Sequence, residues 1–342
     1  MVGYPLNNSG SGHQLLTITE VLVERVTTQK QTQREGEATA HATTRTIHQE
    51  ERAVATVLPR TKIPKKFLID EADFCTHQHP NLDIIAYVHS TIAKVGQRNA
   101  TRATWASATA QGFALNLAAV FVVGRSVDEK EARIVQEESR RYRDIIQIDF
   151  KDDYRLLSYK ALASLYWISQ RCPHVPWTMH SDDDTLIDVF CLAEELRSVD
   201  ARSAGAFLCH AGVGPVLREG KWSVDEADYP ASQYPSYCAG GMWTLPTKQI
   251  PRLLDASKVA PFIWVDDVYI CGILRKHAGL KQLHRNDKYT FHFNMTDVGS
   301  MLAWFAPKAQ RKQGWQAILD YHRNMSDQFL LPQLKEKSPL QL

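Results

Sequence analysis

The sequence predicts an α/β fold, a mostly parallel sheet flanked by helices. Two observations predict it. From Lys65 onward, short apolar runs alternate with longer amphipathic stretches. One of those runs, Val175 to Met179, leads through His180 and Ser181 into three consecutive carboxylates, Asp182, Asp183 and Asp184. Ligands of parallel sheets bind at the carboxyl ends of strands, which is where this acidic run falls.

Residues 1–64 stand apart as a polar stem or disordered arm, with Gly and Ser first and then a Thr/Gln/Glu/Arg-rich tract from Thr27 to Arg52 without aromatics. Thr17 to Val26 has the aliphatics for one short helix. The folded domain is expected over 65–330, with a polar tail at 331–342. Within it, the expected strands are Asp83–Val88, Leu115–Val123, Asp144–Ile148 and the run from Val175, separated by helices over Gln97–Ala110, Val127–Tyr142 and Tyr154–Gln170. The second half is more mixed. It reads as a helix near Ile187–Arg197, a strand near Ala204–His210, a Gly/Pro/Tyr-rich loop to Ser236, and a strand over Tyr237–Leu245. Then come an apolar helix Val268–Leu280 headed by Asp266 and Asp267, a strand Tyr289–Phe293 and a helix near Gln310–Arg323.

The 342 residues are 44% hydrophobic, enough for a sizeable core. With 40 basic against 38 acidic side chains, the formal charge of +2 gives no reason to expect nucleic acid. Six cysteines without a Cys-x-x-Cys pair argue against structural zinc and permit disulfides. Four of the eight asparagines, Asn7, Asn99, Asn294 and Asn324, sit in the Asn-x-Ser/Thr acceptor pattern for glycosylation. There is no signal peptide pattern and no apolar run of about 20 residues that would span a bilayer.

In an extended segment Asp182 and Asp184 point to one side and Asp183 to the other, so two carboxylates converge while the third braces the turn. Oxygen ligands suit a hard ion such as Mg²⁺ or Mn²⁺. The competing reading is an acidic turn that caps the next helix. Asp266 and Asp267 likewise read, on their own, as caps of the helix that follows.

Four stretches in a fixed order decide between these readings: Arg98-Asn-Ala-Thr-Arg102-Ala-Thr-Trp105; Phe150-Lys-Asp-Asp-Tyr154 leading to Lys160 and Trp167; Asp182–Asp184; and Tyr234-Pro-Ser-Tyr-Cys-Ala-Gly240-Gly241 with Val265-Asp-Asp-Val-Tyr-Ile-Cys-Gly272. Together they closely resemble the β-1,3-galactosyltransferase and β-1,3-N-acetylglucosaminyltransferase family, inverting enzymes related to Fringe. The resemblance runs from about Ile84 to Gly272. It implies a GT-A type, Rossmann-like sheet, a UDP-sugar donor, a glycan acceptor on glycoprotein or glycolipid, and a divalent cation such as Mn²⁺. It also implies a Golgi lumenal setting, with membrane association only through an anchor not seen in this chain.

By motif position the resemblance makes Asp267 the base that takes the acceptor proton, with Asp266 beside it. Asp184, with Asp182, would hold the metal, and Asp182 and Asp183 would reach the donor. Arg98, Arg102 and Lys160 either contact the donor phosphates or serve as ion-pair partners. Gly240 and Gly241 let backbone approach the donor closely. Trp105 and Trp167 are expected in the core, while Tyr234, Tyr237 and Trp243 either line the sugar site or pack.

Three positions depart from the family pattern. His180 stands where the family commonly has Lys, and Leu156 where it has Asn. Trp304, eleven residues before Trp315, falls where a metal-binding His is expected, and indole cannot ligate a cation as imidazole does. Either the register differs, His292 or water substitutes, or metal binding is impaired. The alternative function is therefore a catalytically inactive relative that binds nucleotide-sugar or glycan. A phosphatase-like Asp-x-Asp loop ranks last, since its Thr comes one position early.

Overall fold

A computed structural model describes residues 63–107, 115–199, 205–290, 292–306 and 308–325. The arm before residue 63, its short helix at Thr17–Val26 and the tail at 331–342 lie outside the described residues.

The strands are β1 (Phe67–Ile69), β2 (Ile84–His89), β3 (Leu117–Arg125), β4 (Ile145–Lys151), β5 (Trp177–Asp182), β6 (Thr185–Ile187), β7 (Phe207–Gly212), β8 (Tyr237–Pro246), β9 (Gln282–His284), β10 (Tyr289–Thr290) and β11 (Ala303–Phe305). Eight of them form one sheet in the order β1-β4-β3-β2-β5-β8-β7-β9. Only β1 and β8 run against the rest, so the sheet is mostly parallel, as the alternating pattern predicts. A smaller sheet, β10-β11-β6, sits after the acidic run.

The parallel strands read as unbroken apolar runs because both of their faces are covered. All six residues of β2 are buried. Ile85 and Tyr87 face one core with the helix Leu157–Arg171, while Ile84, Ala86 and Val88 face a second core with Val135, Leu192 and Trp315 from three other helices. Trp105 and Trp167 lie in these cores, as expected, and each indole N–H is satisfied: Trp105 donates to the Thr185 carbonyl and Trp167 to Asp70.

Several boundaries differ from expectation. The helix predicted over Gln97–Ala110 is observed as Val95–Arg102, followed by a 3₁₀ turn at Trp105–Ser107 where the Trp105–Thr185 bond draws the chain off the helix axis. The apolar helix predicted over Val268–Leu280 is a π-helical turn, Val268–Leu274, running into Arg275–His277. It stops where Gly279 takes a φ of +63° and the Leu280 amide bonds back to Arg275. β5 continues through His180 and Ser181 to Asp182, so the first aspartate belongs to the strand itself.

Two disulfides stitch the domain, Cys75–Cys172 and Cys209–Cys238, and Cys191 and Cys271 are free thiols. The second disulfide joins β7 to β8 at the base of the Gly/Pro/Tyr-rich loop between them.

Candidate active site

The site is assembled at the carboxyl end of the central strands. β2 and β5 are hydrogen-bonded neighbours in parallel register, with Tyr87 opposite His180 and His89 opposite Asp182. β8 lies antiparallel on the other side of β5, pairing Ser181 with Met242 and bringing Gly240 and Gly241 alongside the acidic turn. The helical residues that lead into the π-helical turn contribute Asp266 and Asp267.

The three aspartates divide their work. Asp183 is turned inward and buried, its carboxylate accepting from Ser90 Oγ at 2.7 Å and Lys94 Nζ at 2.9 Å. The Asp183 carbonyl takes a further bond from Arg311 Nη1 at 2.6 Å, which ties the turn to the C-terminal helix Lys308–Met325. Asp183 is thus fully engaged with the chain, and Asp182 and Asp184 remain accessible from outside. The Asp182 side chain is 41% exposed.

Electrostatically, Asp182 is the meeting point. Partial burial and the nearby charges of Asp266, Asp184, Asp183 and Asp267 push its carboxyl well above the ordinary range, burial contributing most. Asp184 is also raised, by desolvation and by Asp183, with Lys94 and Arg311 opposing. Asp182 therefore feels both Asp184 and the Asp266–Asp267 pair some eighty residues later.

Within that pair the environments diverge. Burial alone would raise Asp266, but His89 and His180 more than offset it, and its carboxyl is held below the usual range. His89 Nδ1 lies 3.3 Å from Asp266 Oδ2. Burial and the neighbouring Asp266 charge push Asp267 up to about 7. Asp267 Oδ1 accepts the Val268 amide at 2.7 Å, so this residue does cap the turn that follows. Its second oxygen faces Gly240, where an added Cβ would stand 3.4 Å away. At Gly241 a Cβ would come within 2.4 Å of the Phe305 ring, so that glycine admits β11 rather than a ligand.

The three expected phosphate contacts are engaged within the chain. Arg98 is fully buried, paired through two nitrogens with Glu138 and donating to Ser90 and the carbonyls of Thr91 and Ile92. Arg102 bonds Glu138 and Asp144 and stacks on Tyr142 and Phe121. Lys160 is buried on Asp152 and the Ser90 carbonyl, and burial lowers its ammonium despite Asp152. Of the two roles open to them, the geometry displays the ion-pair one.

Of the aromatics, Trp243 is buried and stacks on His180 at 5.3 Å, Tyr234 is buried, and Tyr237 is half-buried. Trp304 is buried in β11 opposite Leu186 and edge-on to Phe293. With Thr185, Gly241, Met242 and Phe305 it lines a cavity of about 20 Å³. His292 is exposed and belongs to neither of the close-set groups of metal-ligating side chains found among the described residues.

One of those groups is His89, His180 and Asp182. Sequence reasoning noted His180 only as a departure and passed over His89. The His-x-Asp spacing puts 180 and 182 on one side of a strand, but His89 joins them only through the β2–β5 register. Carboxylates crowded together, beside imidazole nitrogens without hydrogen-bond partners, are a donor set that fits a divalent cation.

A family model for galactosyltransferases matches residues 96–286, more than half the chain. The chain belongs to the galactosyltransferase family. The family match covers the acidic turn, the glycines of β8 and the Asp266–Asp267 pair, on the mostly parallel sheet. Among curated relatives, the Xenopus tropicalis lactosylceramide 1,3-N-acetyl-beta-D-glucosaminyltransferase is 27% identical over 64% of this chain and 60% of its own length. The gorilla beta-1,3-galactosyltransferase 5 is 30% identical over 59% of this chain and 68% of its own. The mouse beta-1,3-galactosyltransferase 2 is 28% identical, and the match spans about half of its length, 51%. Among solved structures, S. aureus TarS aligns at 10% identity over 72% of this chain and 74% of that one, with a TM-score of 0.35.

Proposed function

We propose that the chain is an inverting hexosyltransferase that moves galactose or N-acetylglucosamine from a UDP-sugar to a glycan hydroxyl with β-1,3 linkage, in protein glycosylation. The observation that supports the reading is the convergence of Asp182, next to Asp184, on the Asp266–Asp267 pair at the end of β5. It puts a cation-seeking cluster beside a carboxyl held near neutrality, the two functions that inverting transfer requires.

Asp267 takes the proton of the acceptor hydroxyl through its uncommitted oxygen as that hydroxyl attacks the anomeric carbon. The sugar–phosphate bond breaks on the opposite face and UDP leaves with the electron pair. A carboxyl at about 7 is matched to this task, being ionised in a useful fraction and still basic. Gly240 leaves open the space on that oxygen's side. Asp182 and Asp184 would hold Mn²⁺, which when bound supplies Lewis-acid stabilisation of the departing diphosphate. Asp183 keeps the turn in place through Ser90, Lys94 and Arg311.

A Golgi lumenal setting accords with the two disulfides and with sequons at Asn99, Asn294 and Asn324, all three exposed. Among the described residues no helix is long and apolar enough to cross a membrane.

The test is a transfer assay with UDP-galactose, UDP-N-acetylglucosamine and UDP-glucose against a panel of glycan acceptors, with and without Mn²⁺. One donor is expected to be used in a cation-dependent manner with inversion at the anomeric carbon. Transfer that persists in Asp267→Asn would remove that residue as base. The second reading, an inactive relative, is motivated by Trp304 in the place of a ligating histidine. Calorimetric titration of UDP separates the two: affinity that does not respond to Mn²⁺, with no transfer from any donor, favours it.

A further inference from the structure

The end of the β2–β5 ladder holds a set of ligands that Asp-only recognition of a cation does not need. Residues two apart on a strand share a face, so Tyr87 and His89 point one way from β2, and His180 and Asp182 the same way from β5. Because His89 is in register with Asp182, both imidazoles and the carboxylate are forced together. The rings of His89 and His180 are 4.7 Å apart, and His180 Nε2 is 3.8 Å from Asp182 Oδ1. One ligand atom from each of the three residues falls within a span of 4.8 Å.

Both histidines are more than nine-tenths buried. His180 Nδ1 and His89 Nε2 have no hydrogen-bond partner, and His89 Nδ1 lies 3.3 Å from Asp266 Oδ2. Buried imidazole nitrogens are normally paired, because an unpaired one has given up its water without a replacement. Two together, beside the partly exposed carboxylate of Asp182, call for a ligand that accepts nitrogen lone pairs. Asp266 against His89 supplies the outer carboxylate that orients ligating histidines in metal sites.

We infer that His89, His180 and Asp182 form a two-nitrogen, one-oxygen site for a transition-metal dication. The inference rests on the reading of this cleft as a donor site and names the kind of cation it takes. Two imidazoles with one carboxylate suit Mn²⁺, Co²⁺ or Zn²⁺, whereas Mg²⁺ keeps to oxygen. Ligand atoms around such an ion sit roughly 3–3.5 Å from one another given bonds near 2.1 Å, so the observed spacing closes with a small swing of the half-exposed Asp182.

The experiment uses the full chain loaded with Mn²⁺ alone, without donor or acceptor. Pulsed EPR of the bound Mn²⁺ should show ¹⁴N modulation from two imidazoles, reduced to one in His180→Gln or in His89→Gln. Mn²⁺ affinity should fall about tenfold or more in each variant, and a large excess of Mg²⁺ should leave the wild-type signal in place. Bound Mn²⁺ without ¹⁴N modulation, no bound Mn²⁺, or ready displacement by Mg²⁺ would overturn the inference. The wild-type spectrum decides even if a variant fails to fold. Transfer that requires Mn²⁺ while no nitrogen coupling is seen sinks this site and spares the transferase reading; nitrogen coupling without transfer from any donor does the reverse.

Discussion

Gly240 and Asp267 face each other so closely that a methyl group on the glycine would stand 3.4 Å from Asp267 Oδ2. Alanine fits there only as a lid on the carboxylate. Gly240→Ala is expected to leave the near-UV circular dichroism unchanged, to bury Asp267 further and raise its carboxyl, and to lower kcat/KM at neutral pH about tenfold. Gly241→Ala should behave differently. Its Cβ would strike the Phe305 ring at 2.4 Å, so stability falls by about 1–3 kcal/mol in urea unfolding.

The pH dependence follows from the same carboxyl. Asp267 must be ionised to accept a proton, and burial with the adjacent Asp266 charge places it at about 7. Activity is present above that value and falls as pH drops through it. Removing the neighbouring charge in Asp266→Asn should move the acid limb of kcat/KM to lower pH, read from a profile at saturating Mn²⁺. A limb that stays put or moves upward would contradict the assigned cause. Asp267→Asn should lose about 10²- to 10⁴-fold in kcat while UDP binding is retained.

Arg98 is a question of stability rather than donor affinity. Arg98→Leu strands Glu138 in the core beside Arg102 alone, and breaking a buried pair on one side costs about 3–5 kcal/mol. Denaturant unfolding should show that loss, with the Kd for UDP unchanged in whatever fraction remains folded. A weakened UDP affinity at full stability would restore the phosphate contact.

Reduction should destabilise the domain. Each disulfide removal is expected to lower unfolding free energy by about 2–5 kcal/mol, with Cys75–Cys172, which closes the longer loop, at the upper end. Single Cys→Ser replacements at 75 and at 209, followed by thermal and urea melts, check the ranking.

The order of the main elements was legible because parallel strands covered on both faces must be apolar along their whole length. β2, β3, β4 and β5 announce themselves within a few residues of their ends. β1, β6, β9 and β11 do not, since three residues cannot display a period, while the strand expected over Tyr289–Phe293 is observed as the shorter β10. At the site, the acidic run and the Asp266–Asp267 pair were visible as motifs, but partners were not. Arg98 and Arg102 share a helical face in any reading, yet only the fold shows that Glu138, forty residues on, lies between them. His89 was missed for the same reason: its meeting with His180 and Asp182 is a property of strand register, which no local window contains.

The Cys75–Cys172 bond has a consequence for how this domain can come apart. It turns the chain between those residues into a covalent ring that includes β2, β3 and β4. One peptide-bond break anywhere inside that ring opens it without freeing either piece. A protease-clipped molecule would run as a single band until thiol is added, and then fall into two.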